Sequence, residues 1–221
     1  MILCLVTDRR RVCAVQAFEA ARRCVAEQAR RAVEAGIDLL QIRERDLEAG
    51  ELLALATDIV RLTRGSPTRV VVNDRLDVAL AAGADGVHLR ADSLSPSAAR
   101  ALTPAGFLVG RSVHRLDEAV RVAPDVDYLI AGTVFSTASK PEAWLGLDGL
   151  VAIARAVSVP VLAIGGMSLD RIEQIAEAGV AGIAAIGLFV GDRVEADCRA
   201  GRLVELAEAV RRRFDSVKTA S

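Results

Sequence analysis

Residues 34–43, EAGIDLLQIR, run from a predicted helix end through a glycine into a predicted strand, and this phrase decides the fold. Two further copies occur at residues 81–90, AAGADGVHLR, and 177–187, EAGVAGIAAIG. In each copy an Ala-Gly pair ends the helix, because glycine readily adopts the left-handed conformation that closes a helix. A helix–glycine–strand unit repeated along a chain is typical of a barrel built from βα modules.

Working outward from these copies, short apolar runs alternate with amphipathic stretches along the chain. The predicted strands are Ile2–Asp8, Leu39–Glu44, Val70–Asn73, Gly86–Leu89, Leu108–His114, Tyr128–Phe135, Val159–Ile164 and Gly182–Ile186. The predicted helices include Glu19–Glu34, Leu47–Leu62, Leu116–Val122, Leu147–Ala156 and Leu169–Ala178. Eight strands, with no G-x-G-x-x-G after the first, favour a single-domain α/β TIM (β/α)8 barrel over a doubly wound open sheet. We expect the barrel to span residues 1–213 and residues 214–221 to fray.

The composition excludes several classes of protein. The chain has 28 basic and 29 acidic residues, so nucleic acid is not expected as the principal partner. No apolar run approaches the roughly 18 residues of a membrane helix, and the first residues do not predict a signal peptide. Four cysteines without metal-ligand or C-x-x-C spacing predict reduced thiols in a cytoplasmic protein. Whether the chain forms a homo-oligomer stays open.

Polar residues collect at the predicted strand ends, which converge on one rim of a barrel. The candidate binding residues are Gln41, Arg43, Arg45, Asn73, His88, Ser112 and Thr133. Arg43 and Arg45 fall on one side of an alternating strand and could hold a carboxylate or phosphate, unless Glu44 and neighbouring acids neutralise them. His114 is a candidate acid/base catalyst because histidine titrates near neutrality, with a binding or structural role as the alternative. For His88 a buried, hydrogen-bonded role is favoured over catalysis.

Several predicted loops at the rim carry further hypotheses. Gly165, Gly166 and Gly187 follow the last two predicted strands, where TIM barrels usually bind phosphate, although Gly165-Gly166 could be a simple tight turn. Residues 136–146 form either a lid or an ordinary surface loop. Asp74 is a possible Mg²⁺ ligand, with Asp92 the nearest second carboxylate, or else a helix cap.

The motifs QIRERD, VVNDRLDVAL, ADGVHL, GRSVH, LAIGGMSLDRI and AGVAGIAAIG resemble, in order and spacing, the thiamine phosphate synthase/TenI family. The resemblance spans roughly residues 6–189 and implies a TIM barrel that acts on a thiazole phosphate during thiamine biosynthesis. One activity in this family couples hydroxymethylpyrimidine pyrophosphate to the thiazole phosphate with the help of Mg²⁺. The other is a thiazole tautomerase, which needs no metal.

This sequence departs from the synthase pattern at two positions. Arg45 stands where the pattern usually has lysine, and Ser93 stands where it has a Mg²⁺-binding aspartate, whereas Asp74 is retained. Residues 136–140 resemble the family's P-T-x-T-K loop, which makes Lys140 a further candidate binding residue. Pyrophosphate departure usually needs a cation clamp, whereas a proton transfer that gains aromaticity does not.

We therefore expect a thiazole tautomerase without a cofactor, in which His114 is the acid/base and Gly165, Gly166 and Gly187 hold the phosphate. Arg43 and Arg45 would meet the substrate carboxylate. The alternatives are a thiamine phosphate synthase with Mg²⁺ at Asp74 and a non-catalytic thiazole-phosphate binder or regulator.

Overall fold

Eight short apolar strands alternate with helices along the chain, as the repeated helix–glycine–strand unit predicts. The computed structural model describes residues 1–13, 17–137, 145–190 and 199–219. The strands are β1 (Ile2–Val6), β2 (Leu39–Ile42), β3 (Arg69–Asn73), β4 (Gly86–Leu89), β5 (Leu108–Val113), β6 (Tyr128–Gly132), β7 (Val161–Ile164) and β8 (Gly182–Ala185). All eight predicted strands are present. Several are shorter at the carboxyl end than the apolar pattern predicts.

The helices of the described ranges surround these strands. They are α1 (Arg9–Val12), α2 (Phe18–Glu34), α3 (Ala49–Thr63), α4 (Leu76–Ala82), α5 (Pro96–Leu102), α6 (Leu116–Val122), α7 (Gly146–Ala156), α8 (Ile172–Glu177), α9 (Gly187–Val190) and α10 (Arg199–Thr219). Gly36, Gly83 and Gly179, which follow α2, α4 and α8, have positive φ angles of 64°, 68° and 79°. None of the helices in the described ranges is long and apolar enough to cross a lipid bilayer.

The strands form a closed barrel in sequence order, and every neighbouring pair is parallel. The ring closes between the first and last strands, since Cys4 of β1 pairs with Leu39 on one side and with Ala184 of β8 on the other. A closed ring has no edge strand. The TIM barrel is therefore confirmed, and the open doubly wound sheet is excluded.

An apolar layer fills the inside of the barrel. Because side chains alternate along a strand, one set points inward and the other packs under the helices. The buried residues of the inner cluster are Cys4, Val6, Leu39, Val71, Tyr128, Ile130, Leu162 and Ala184. Gln41 and Asn73 come two residues after Leu39 and Val71, so they occupy the next inward positions on the same strands. The apolar layer is thus the floor of a polar rim at the carboxyl ends of the strands.

Helix α10 ties the end of the described chain to its beginning. Phe214 is fully buried, and Arg211 donates hydrogen bonds to the carbonyl of Met1 (3.1 Å), the carbonyl of Gly36 (2.7 Å) and the carboxylate of Asp38 (2.8 Å). The helix continues to Thr219. The expected fraying from residue 214 is therefore not seen over residues 214–219, because an aromatic side chain anchors this turn in the core.

Candidate active site

A cavity of about 120 Å³ opens beside the carboxyl ends of β2, β3 and β4. This is well above the roughly 10–15 Å³ that one water molecule needs. Three arginines and two acids are among the residues that line it, which are Glu44, Arg45, Leu47, Leu52, Asn73, Asp74, Arg75 and Arg90. Its charge therefore favours an anionic ligand.

Arg43 and Arg45 lie beyond the end of β2, so the predicted strand alternation does not extend to them. Arg43 is half-buried and Arg45 is exposed. Burial lowers the pKa of Arg43, and repulsion by the positive charges of Arg45 and Arg90 lowers it further. The two arginines are thus close enough to repel each other, as the sequence predicts for a shared anion site, although a loop rather than a strand brings them together.

Glu44 forms no ion pair with Arg43 or Arg45 and acts on Arg43 only through its charge, because its hydrogen bonds are directed toward the amino-terminal segment. Its buried carboxylate accepts hydrogen bonds from the Thr7 hydroxyl (2.7 Å), the Arg9 backbone N–H (3.1 Å) and the Arg9 guanidinium (3.3 Å). Arg9 also donates to Asp46 (2.7 Å). Burial raises the pKa of Glu44, and the hydrogen bonds from Thr7 and Arg9 oppose that shift. Arg9 is a structural residue that sequence reasoning missed, since its partners lie far away in the chain.

Gln41, which is buried, and Asn73, which is half-buried and lines the cavity, form an amide pair. The Gln41 side-chain amide donates to Asn73 Oδ1 (3.0 Å), which leaves the Asn73 Nδ2 group to donate elsewhere. Gln41 Oε1 is buried without a hydrogen-bond partner among the described residues. An unpaired buried acceptor is costly, so it indicates a ligand or water at this place. Both predicted binding residues are therefore brought to the rim.

His88 is buried inside the barrel in a chain of hydrogen bonds. Its Nε2 lies 2.8 Å from the Ser112 hydroxyl and its Nδ1 lies 3.2 Å from the Tyr128 hydroxyl, and its ring stacks on Tyr128. Burial, and then the nearby charge of Arg111, lowers the pKa of His88 to about 3, so the ring is neutral at neutral pH. His88 therefore orients Ser112, which is half-buried at the rim. The buried, hydrogen-bonded role favoured from sequence is the one observed.

His114 is exposed at the end of β5. Its Nδ1 contacts the carbonyl of Gly132, and its backbone N–H donates to Glu118 (2.9 Å). A carbonyl only accepts hydrogen bonds, so Nδ1 carries the proton. Nε2 is left as the ring atom available to a ligand.

Asp74 does not complete a Mg²⁺ site with the described residues. Its φ angle is +65°, and its Oδ1 is buried without a hydrogen-bond partner, as an oxygen awaiting a ligand would be. However, the Arg90 guanidinium lies 3.5 Å from Oδ2, and Asp92 is exposed and pairs with Arg90 (2.5 Å). No group of three or more His, Cys, Asp or Glu side chains in the described ranges could hold a metal. Mg²⁺ is commonly held by one or two carboxylates together with substrate phosphates, but here Asp74 already faces the Arg90 guanidinium and Asp92 is paired with the same arginine, so the residues present do not fit this ion.

Two glycines after β7 form a turn that only glycine tolerates. Gly165 and Gly166 have φ angles of 104° and 66°. A Cβ atom on Gly165 would lie 2.4 Å from Thr133 Cγ2, and one on Gly166 would lie 2.7 Å from Phe135 Cβ. The predicted binding residue Thr133 is thus packed directly against this turn. Successive backbone N–H groups in a turn of this kind can form a concave site for an anion.

Arginines that sequence reasoning missed flank this glycine turn. Arg171 donates to the Gly166 carbonyl (2.7 Å) and lies over the Phe135 ring. Gly187 is exposed beside the end of β8, and a Cβ on it would lie 3.4 Å from an Arg11 nitrogen. Gly165, Gly166 and Gly187 therefore lie in a basic part of the rim, which fits the phosphate site predicted from sequence.

The predicted binding residue Lys140 lies outside the described residues. The same holds for residues 138–144 of the predicted loop 136–146. The choice between a lid and a surface loop, and the position of Lys140, therefore stay predictions.

Comparison with known proteins identifies the family. The family described as "Thiamine monophosphate synthase" matches residues 3–189. The chain is 36% identical over 194 residues to the thiamine-phosphate synthase of Caldanaerobacter subterraneus, covering 86% of this chain and 88% of that one. It is 42% identical over 153 residues to that of Methanoregula boonei, covering 68% and 71%. A solved structure, thiamine phosphate pyrophosphorylase from Pyrococcus furiosus, superposes with a TM-score of 0.77 at 32% identity, covering 95% and 96%. The chain belongs to the thiamine monophosphate synthase family.

The expectation of a thiazole tautomerase is wrong. These relatives are named thiamine-phosphate synthases, which supports the alternative considered from sequence. Arg45 and Ser93, the two departures from the synthase pattern, do not exclude the synthase. Arginine keeps the positive charge of lysine, and Arg90 adds a guanidinium to the same cavity.

Proposed function

We propose that this protein is a thiamine-phosphate synthase, which joins hydroxymethylpyrimidine diphosphate to thiazole phosphate. In this reaction a bond forms between the thiazole nitrogen and the methylene carbon of the pyrimidine. The bond from that carbon to the diphosphate oxygen breaks, and the electron pair leaves with the diphosphate. The reaction is a transfer between two phosphorylated substrates.

The observation that carries this proposal is that two separate corners of one rim offer groups suited to an anion. The first corner is the arginine-lined cavity at β2, β3 and β4, and the second is the glycine turn after β7 together with Gly187 after β8. In the closed barrel, β1 separates the corners on one side and β5 and β6 separate them on the other. A synthase must hold a diphosphate and a monophosphate at once. An enzyme whose single substrate carries only one anionic group has no need of the second corner.

The predicted site residues can be assigned to the two corners and to the region between them. Arg43 and Arg45 hold the diphosphate, since guanidinium groups match phosphate oxygens with paired N–H donors. The backbone of Gly165, Gly166 and Gly187 holds the thiazole phosphate. Ser112, His114 and Thr133, from β5 and the end of β6, line the region where the two rings meet, and Gln41 and Asn73 offer amide groups to the pyrimidine.

The direct test is to incubate the protein with both substrates in the presence of Mg²⁺ and to measure thiamine phosphate and released diphosphate. We expect equimolar products that require both substrates. Replacing Arg45 by glutamine should raise the KM for the pyrimidine diphosphate by ~10-fold, as expected for one charge-assisted hydrogen bond. Arg69→Gln is the matched control, because Arg69 is an exposed arginine at the opposite end of β3.

Two results would contradict the proposal. One is product formation no faster than in the enzyme-free mixture. The other is a rise in melting temperature with thiazole phosphate but no product, which would indicate the non-catalytic binder instead.

A further inference from the structure

We propose that Arg90, together with Arg43 and Arg45, binds the diphosphate directly and does the work for which a divalent cation would otherwise be needed. This inference rests on the proposed function for the identity of the diphosphate ester. It concerns the cavity beside β2, β3 and β4, where the residues present do not fit a metal ion.

The first argument is the location of Arg90. It follows β4 immediately and lines the same cavity as Arg45 and Asp74. Its side chain is 41% exposed, so it is accessible to a ligand. Its shorter ion pair, 2.5 Å to Asp92, involves a carboxylate that is 69% exposed. Exposed pairs of this kind are weak, so an incoming anion can replace Asp92 at low cost.

Second, the positive charges of Arg43 and Arg45 are only partly balanced. The charges of Asp8 and Glu44 act on Arg43, while Arg45 and Arg90 repel it. Arg43 and Arg45 have no acidic partner within salt-bridge distance among the described residues. The nearest buried acid, Glu44, is held by Arg9 and Thr7. Like charges gathered around a cavity destabilise the folded protein unless a ligand of opposite charge binds there. A diphosphate carries several negative charges and fits that requirement.

The third argument is competition for Asp74. Arg90 lies 3.5 Å from one oxygen of this carboxylate, and Arg90 is therefore the cation that Asp74 already faces. A divalent ion bound to Asp74 would be repelled by the neighbouring guanidinium. Ser93, at the position of the family's second Mg²⁺-binding aspartate, brings no negative charge to oppose that repulsion.

The chemistry balances without a metal. When the carbon–oxygen bond breaks, negative charge develops on the departing diphosphate, and guanidinium N–H groups stabilise it by charge-assisted hydrogen bonds. The guanidinium stays protonated throughout, so no proton transfer is required of it.

The test measures binding of inorganic diphosphate by calorimetry in the presence of EDTA, and product formation with EDTA or with Mg²⁺. We expect the wild type to bind diphosphate in EDTA and to keep a turnover rate of the same order with and without Mg²⁺. Arg90→Gln should weaken binding in EDTA by ~10–100-fold, as expected for charge-assisted hydrogen bonds. Arg90→Lys should bind diphosphate with an affinity between those of the wild type and Arg90→Gln. Arg69→Gln should bind diphosphate as the wild type does.

Asp74→Asn gives the sharper discrimination, because the two mechanisms predict opposite effects. Asparagine tolerates the left-handed backbone at this position, so the variant is expected to fold. If Arg90 acts as proposed, removing the competing carboxylate leaves diphosphate affinity unchanged or raises it. If a metal bound by Asp74 is required, affinity falls in Asp74→Asn, EDTA abolishes binding by the wild type, and the proposal is overturned.

These results also separate this inference from the proposed function. If diphosphate binds in EDTA in a manner that depends on Arg90 but no thiamine phosphate is formed, the proposed synthase activity is refuted. The proposed diphosphate site at Arg90 then still stands. If product formation requires Mg²⁺ and is unchanged in Arg90→Gln, the proposed diphosphate site at Arg90 is refuted. The proposed synthase activity then still stands.

Discussion

Acidification should destabilise this protein through one buried histidine. Burial and the charge of Arg111 lower the pKa of His88 from 6.5 to about 3. In the unfolded chain the same imidazole binds a proton near its ordinary pKa. Between these two values the unfolded state therefore binds more protons than the folded state, and stability falls as the pH falls. This loss of stability is absent above the pKa of the histidine in the unfolded chain, and it grows as the pH falls toward the pKa in the folded protein.

The magnitude follows from the gap between the two pKa values. Each unit corresponds to about 1.36 kcal/mol, so a fall from about pH 7.5 to about pH 5 removes roughly 2 kcal/mol from the free energy of unfolding. His88 is 1% exposed, so solvent screening does not reduce this figure appreciably.

Urea unfolding of the wild type and of His88→Gln at several pH values measures the effect. The variant should be less stable at neutral pH, because glutamine does not reproduce both hydrogen bonds, but it should lose less stability on acidification by roughly 2 kcal/mol. The difference between the two proteins cancels the contribution of carboxylates such as Glu44. His114→Gln removes the other histidine and leaves the buried network intact, so it should keep the His88 contribution. Equal pH slopes in wild type and His88→Gln would refute the reasoning.

Three further predictions concern other parts of the molecule. Gly166→Ala should raise the KM for thiazole phosphate at least ~10-fold, because the added Cβ would lie 2.7 Å from Phe135 Cβ. The KM for the pyrimidine diphosphate should change little. Steady-state kinetics with each substrate varied in turn would check this. Phe214→Ala should lower the free energy of unfolding by about 3–5 kcal/mol, as urea titration would measure; an unchanged midpoint would mean that the helix end does not anchor the core. Mild oxidation should link Cys13 and Cys24, whose sulfur atoms lie 2.6 Å apart, with a mass loss of two hydrogens that Cys24→Ser abolishes.

The parts of the fold that follow from sequence are those fixed by local patterns. Helix α6 and strand β4 have the predicted limits, because apolar spacing and flanking residues define both ends. Strand β6 was predicted to reach Phe135 but ends at Gly132, where its pairing with Ile164 of β7 stops. The end of a barrel strand depends on its neighbour's length, and the strand's own residues carry no signal for it.

The C-terminal helix shows a signal that was present in the sequence and overlooked. Leu203, Ala207, Val210 and Phe214 are all buried and recur at intervals of four, three and four residues. This spacing places them on one face of a helix. The run of arginines around them suggested a solvated tail, but long charged side chains commonly flank an apolar stripe.

Site residues at the ends of the strands could be predicted from sequence, because these ends meet on one rim. Site residues whose contacts lie between distant loops could not. Gln41 and Asn73 could be placed together because parallel strands end on one rim. Arg90 falls at a predicted strand end, but its role was not predicted, and Arg171 was not singled out, since both roles depend on contacts with Asp74 and Gly166 that only the folded chain creates. The relation of Arg9 to Glu44 likewise connects separate βα units.

The closure of the ring has a consequence for how the protein is made. Ile2 pairs with Gly182, so the seam between β1 and β8 joins one segment to another that is synthesised much later. Until β8 emerges from the ribosome, one side of β1 presents unpaired backbone N–H and C=O groups, a template for wrong pairing with other chains. The clamp of Arg211 on Met1 and Asp38 forms later still. During synthesis the incomplete barrel is therefore an open sheet that depends on rapid completion, or on a chaperone, to avoid aggregation.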